Sequence, residues 1–100
     1  MDELSKKQRR FLQRQAHPLK PLAYVGRDGV SPPLVQSLEE VFAAHELIKI
    51  KLERSCPLDR FEASVALAAA AKAQVVQVIG HVVILYRADL EQPRLQLPAE

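Results

Sequence analysis

Hydrophobic and polar positions along the chain switch between two periods, and the switches mark out seven elements. At 100° per residue Leu4, Phe11 and Leu12 fall on one side of a helix, with Lys6, Lys7, Arg9, Arg10 and Arg14 roughly opposite. Ser5 with Gln8 three residues on fits a capping box, and no glycine or proline interrupts before Pro18. The prolines in His17-Pro18-Leu19-Lys20-Pro21 force an extended or turned connection. Leu22-Ala23-Tyr24-Val25 then reads as a short buried strand, broken by Gly26-Arg27-Asp28-Gly29. Ser31 and Pro32 are suited to the N-cap and first residue of a second helix, whose apolar positions are Leu34, Val35, Leu38, Val41, Phe42 and His45. From Leu47 to Leu52 the period becomes two, with Ile48, Ile50 and Leu52 on one face and Lys49 and Lys51 on the other.

Asp59 and Glu62 open a third, alanine-rich helix with Phe61, Val65, Leu67 and Ala68 as its expected core contacts. Two strands follow, Gln74–Ile79 and Val82–Arg87, joined by Gly80-His81, a loop that suits a type II′ hairpin. The unalternating run Val82-Val83-Ile84-Leu85 predicts a strand covered on both faces, and the tail from Ala88 is expected to be irregular and frayed. The order α-β-α-β-α-β-β predicts an α/β fold: one compact domain over residues 1–100, with its core at about 4–88, a tail at 89–100, and a mixed four-stranded sheet packed by three helices.

Composition narrows the function classes. One hundred residues build one core, and no stretch approaches the roughly 20 apolar residues that span a bilayer. The charged N-terminus predicts no secretory leader, and the single Cys56 no internal disulfide, so a cytoplasmic location is expected. The net charge of +2 says little, but its distribution is uneven: residues 1–30 hold seven basic and three acidic side chains, the rest seven and nine. A local positive field attracts a polyanion.

The chemically informative segment is Gly26-Arg27-Asp28-Gly29, between a strand and a helix. Glycine lets the backbone take positive φ and approach a ligand, and loop amides ahead of a helix N-terminus suit an anion. Arg27 would add a charged donor, while Asp28 shapes the turn. It is neither a dinucleotide fingerprint nor a Walker loop. Two glycines at this spacing are also common in plain tight turns, so the neighbouring motifs decide.

Those motifs are Leu4-Ser5-Lys6-Lys7-Gln8-Arg9, His17-Pro18-Leu19-Lys20-Pro21, Val25-Gly26-Arg27-Asp28-Gly29-Val30, His45 to Lys51, Val76 to Gly80 and Val83 to Arg87. In this order, from about Leu4 to Pro98, the chain resembles the bacterial YhbY proteins of the CRM-domain family, named for chloroplast RNA splicing and ribosome maturation. The resemblance implies a fold like the C-terminal domain of translation initiation factor three. It also implies RNA binding, association with large ribosomal subunit precursors, and neither catalysis nor a cofactor. By the same resemblance the RNA-binding residues would be Gly26 and Gly29, with Arg27 and Asp28 between them, and Lys6, Lys7, Arg9, Arg10 and Arg14. Lys20 is a further candidate. Lys49 and Lys51 would either extend the positive surface or serve solubility. Relatives often have a basic residue where this chain has His81, and a glycine where it has Ala71-Lys72-Ala73.

Other chemistry finds little support. His17, His45, His81 and Cys56 share no metal-binding spacing, and no nucleophile and base are paired. Tyr24 and Tyr86, flanked by aliphatics on strands, are expected in the core. The alternative to RNA is a module docking a ribosomal protein or assembly factor through the acidic Glu39 and Glu40.

Overall fold

The computed structural model describes residues 3–99. Helices α1 (Lys6–Ala16), α2 (Pro32–Ala44) and α3 (Arg60–Ala71) alternate with strands β1 (Pro21–Val25), β2 (Leu47–Leu52), β3 (Gln74–Ile79) and β4 (Val82–Tyr86). The sheet order is β1-β2-β4-β3. β1 and β2 pair in parallel, and β4 runs antiparallel to both β2 and β3. The three strands reached through helices therefore share one direction, and the last hairpin returns between them, as the element order predicts.

Two apolar layers sandwich the sheet. On one face, Leu38 and Phe42 of α2 and Ala63, Leu67 and Ala71 of α3 pack on Ala23, Val25, Ile48, Ile50, Leu52, Val83 and Leu85. On the other, Leu12 and Ala16 of α1 pack on Leu47, Val76, Ile84 and Tyr86. β4 is thus covered on both sides, and Lys49 and Lys51 lie on the α1 side of β2.

The buried face of α3 matches the expected one only in part: Leu67 is buried and Ala68 packs against the core, as expected. Phe61 and Val65, expected in the core, are 58% and 69% exposed. Besides Leu67 the helix buries Ala63 and Ala71, each four residues from it, together with Ser64, whose hydroxyl donates to the Phe61 carbonyl. Small residues let the helix sit close to the sheet, and that closeness outweighs turning the larger side chains inward. The Phe61 ring is partly covered by the Arg60 guanidinium, 4.9 Å from its centre.

The tail is irregular, as expected, but it is not frayed. Leu95 and Leu97 pack against the α1 layer, and the Gln8 side-chain amide donates to the Pro98 carbonyl at 3.1 Å. The buried Glu46 carboxylate accepts the backbone N–H groups of Asp89, Arg94 and Leu95. Burial, and secondly the Glu46 carboxylate, push the nearby Tyr86 phenol up.

The C-terminus of α3 holds local strain. Lys72 caps it in the left-handed region at φ 54°, while the Ala73 N–H returns to the Ala68 carbonyl at 2.9 Å. A side chain in that conformation costs about 1 kcal/mol or more, which glycine avoids, although glycine loses more entropy on folding. Lys72→Gly should therefore gain roughly 0.5 kcal/mol and raise the melting temperature by about 2–4 °C. A lower melting temperature would mean that other contacts of Lys72 outweigh its strain.

Candidate nucleic-acid interface

The two glycines of the loop after β1 are under different constraints. The Gly29 N–H donates to the Gly26 carbonyl at 3.0 Å, closing a turn in which neither Arg27 nor Asp28 has positive φ. This is the type I pattern, followed by Gly29 at φ +61°. A Cβ on Gly29 would make only ordinary contact with Pro57, at 3.6 Å, so the backbone angle demands glycine there. At Gly26 a Cβ would lie 3.3 Å from Glu53 Oε1, the free end of an exposed side chain that can shift by a few tenths of an ångström, so the fit is tight there without demanding glycine. Arg27 and Asp28 at the tip are exposed, and their amides make no hydrogen bond among the described residues.

Those turn amides, rather than the helix end, are the available anion donors. Pro32 and Pro33 open α2 without N–H groups, and the Leu34 N–H is held by the Ser31 hydroxyl at 3.4 Å. α2 therefore contributes through its partial positive charge and not through N–H groups of its first turn. Its macrodipole still favours an anion nearby.

Several segments converge around this end of the sheet. The Leu52 N–H donates to the His81 carbonyl at 2.7 Å, and the Glu53 N–H to the Val25 carbonyl at 2.9 Å. These bonds bring the turn after β1, the loop after β2 and the β3–β4 hairpin together. Gly80, at φ +55° and first in the hairpin, fits the expected type II′ turn. A hollow of about 410 Å³ there is lined by Lys51, Leu52, Glu53, Arg54 and His81. Arg54 was not a sequence candidate, since its loop fixes no geometry by pattern alone.

The basic residues of α1 divide by role. The Arg9 guanidinium donates through Nη1 to the carbonyls of Val75 and Val76, where the register of β3 shifts. It secures an edge-strand irregularity. The helical wheel placed Arg9 with the solvent-facing cations, but its angle is close enough to that of Leu12 for a long side chain to reach β3. Lys6, Lys7, Arg10 and Arg14 are exposed, and none forms an ion pair among the described residues. Gln8 and Gln15 flank the tail. At 100° per residue, Lys6 and Arg10 then lie toward the opposite flank, the side of the uncovered sheet, while Lys7 and Arg14 point away from it.

Among the strand cations, Lys49 donates through Nζ to the His17 carbonyl at 3.1 Å, tying α1 to β2. Lys51 is exposed, as is Lys20 between its two prolines. α1 leads into the start of β1 and packs over β2 and β3, whereas the glycine turn follows the other end of β1. Open sheet surface lies between them, and it includes Tyr24, which is 53% exposed instead of buried; Tyr86 is in the core as expected.

The acidic pair offered for protein docking is partly occupied. Glu39 forms a two-pronged bond with Arg87, at 2.9 and 3.1 Å, and that bond holds its carboxyl below the ordinary value of 4.5. Arg87 also donates to the Ala71 carbonyl and lies over the Phe42 ring, so the pair fastens α2 and α3 to the end of β4. Among the described residues no group of histidine, cysteine and carboxylate side chains is arranged for a metal, and no helix is long and apolar enough to cross a membrane.

Comparison with known proteins shows what the whole chain is similar to. A "Probable RNA-binding protein YqeI" from Bacillus subtilis is 36% identical over 95 residues, covering 95% of this chain and 99% of its own. An "RNA-binding protein" from Haemophilus influenzae is 36% identical over 98 residues, 98% of either chain. The solution structure of the hypothetical protein SAV1595 from Staphylococcus aureus aligns with a TM-score of 0.81 at 29% identity, over 96% of this chain and 100% of that one. The family model of the CRS1 / YhbY (CRM) domain matches residues 4–87, from the capping residues of α1 to the arginine that follows β4, and the chain belongs to that family.

Proposed function

We propose that this protein binds RNA through its backbone, on precursors of the large ribosomal subunit in the cytoplasm, and acts in ribosome assembly as a binding module without catalysis. The carrying observation is that the amides at Arg27 and Asp28 have no hydrogen-bond partner among the described residues and are exposed at a glycine turn, with the cations Arg27, Lys51 and Arg54 around the same end of the sheet. The named relatives are RNA-binding proteins, which supports RNA as the partner. The ribosomal assignment follows the family's association with ribosome maturation.

Phosphate recognition of this kind releases counterions, so affinity should fall steeply with salt. Purified protein titrated with large-subunit ribosomal RNA fragments at two salt concentrations should bind in a salt-dependent manner. Arg27→Ala should weaken binding several-fold and reduce the salt dependence by about one ion. Retention on ribosomal particles only when their proteins are present would favour the docking alternative. That reading is weakened already, because Glu39 is engaged by Arg87.

A further inference from the structure

The α1 side of the sheet is only partly roofed. Strand register places Tyr24 beside Lys51, Lys51 beside Val82, and Val82 beside Ile79, a row that crosses all four strands. All four belong to the α1 side, because their neighbours along each strand (Val25, Leu52 and Val83 among them) are buried under α2 and α3. Tyr24 and Ile79 are 53% and 52% exposed, and Leu22, on the same side of β1, is 45% exposed. An aromatic and two aliphatics left open in one sheet face, with a lysine among them, make a surface that water does not favour.

We infer that this open face is a base-contact platform for single-stranded RNA, on which Tyr24 stacks with a base while Lys51 holds an adjoining phosphate. The inference rests on the RNA reading above and extends it from backbone to bases. Two observations favour RNA over a protein. The patch starts at Tyr24, two residues before the glycine turn, so one strand can contact both. It is bordered by cations: Lys51 within the row, Arg54 at the hollow beside it, and, by the helical wheel, Lys6 and Arg10 on the half of α1 turned toward it. The chain has no tryptophan, so Tyr24 is the exposed aromatic of this face, and a ring accepts any base because every base has a π face.

The test compares a single-stranded RNA of about ten nucleotides with an abasic ribose-phosphate strand of equal length, using the full chain. Tyr24→Ala should weaken RNA binding by about 5- to 100-fold, leave its salt dependence unchanged and leave the abasic strand's affinity unaltered. Tyr24→Trp should keep RNA affinity, and as the sole tryptophan its fluorescence should be quenched by RNA but not by the abasic strand. Because Tyr24 is half exposed, both variants should fold, which melting curves verify. If the parent protein binds RNA and the abasic strand equally, or if Tyr24→Ala weakens both alike, the platform is overturned while backbone recognition stands. If the parent binds neither, the RNA reading itself fails. Concentration-dependent dimerisation abolished by Tyr24→Ala would assign the face to a second copy of the chain and overturn the proposal.

Discussion

Glu46→Ala should lower the stability of the fold by about 3–5 kcal/mol, a large share of the 5–15 kcal/mol typical of small domains. Glu46 is 3% exposed, and its two oxygens accept three backbone N–H groups from a tail that has no regular structure of its own. Alanine would leave those donors without a partner, at about 1–3 kcal/mol for each that water cannot reach. Water will reach some of them, since Arg94 is exposed, and this keeps the sum below its upper limit. The melting temperature should fall by roughly 15 °C or more. Amide exchange should accelerate first at Asp89, Arg94 and Leu95, and then at Leu12 and Tyr86 as Leu95 and Leu97 lift from the α1 layer. Glu46→Gln should be intermediate: an amide oxygen can still accept from Arg94 and Leu95, but its NH2 would face the Asp89 N–H. Loss of the carboxylate should also let the Tyr86 phenol titrate lower, because that charge is one of the two causes holding it up. A melting temperature within about 3 °C of the parent would show that the tail contributes little to the fold.

The same residue shows how much of this molecule could be read from its sequence. Periodicity located every element to within a residue or two, because capping residues, prolines and the alternation in β2 are local signals, and local signals determine local structure. What it missed depends on distance across the fold. Nothing about Glu46, one residue before an alternating strand, indicates that residues more than forty positions later fold back onto it. Arg9 has the helical phase of a surface cation, but whether it meets water or the carbonyls of β3 depends on a register shift between Val75 and Gln77. Phe61 and Val65 looked like core because they are large, yet the sheet accepted the alanine face of α3. Tyr24 looked like core because β1 is short and apolar. The α1 helix does not extend over β1, so one side of that strand stays open. For the candidate site, the glycine turn was legible as a turn, and of its two glycines Gly29 takes the positive φ. The joint site of turn and helix was not, because the helix lies away from the turn and only the intervening sheet face connects them.

That separation sets the second large expected effect. Reversing Lys6, Arg10 and Lys51 to glutamate together should weaken binding to single-stranded RNA by about 100-fold or more near physiological salt, and should reduce the slope of log affinity against log salt by about 2, at roughly 0.7 per lost phosphate contact. The decisive comparison is between Lys6→Glu/Arg10→Glu and Lys7→Glu/Arg14→Glu. Both double variants lower the formal net charge of +2 by the same four units, and all four side chains are exposed on one helix. Screening limits interactions between exposed charges to about 8 Å at physiological salt, so only cations beside the bound strand should count. The first pair, on the flank toward the open sheet, should account for a loss of about 10-fold or more, the second for less than about 3-fold. Arg9 is kept in every variant, because its reversal would place a carboxylate against two β3 carbonyls and confuse lost binding with lost folding. Melting curves and circular dichroism matching the parent would confirm that the variants report on the surface alone. Equal losses from the two pairs would mean that RNA senses the helix as a diffuse positive field, and the path from glycine turn to sheet to helix flank would have to be abandoned.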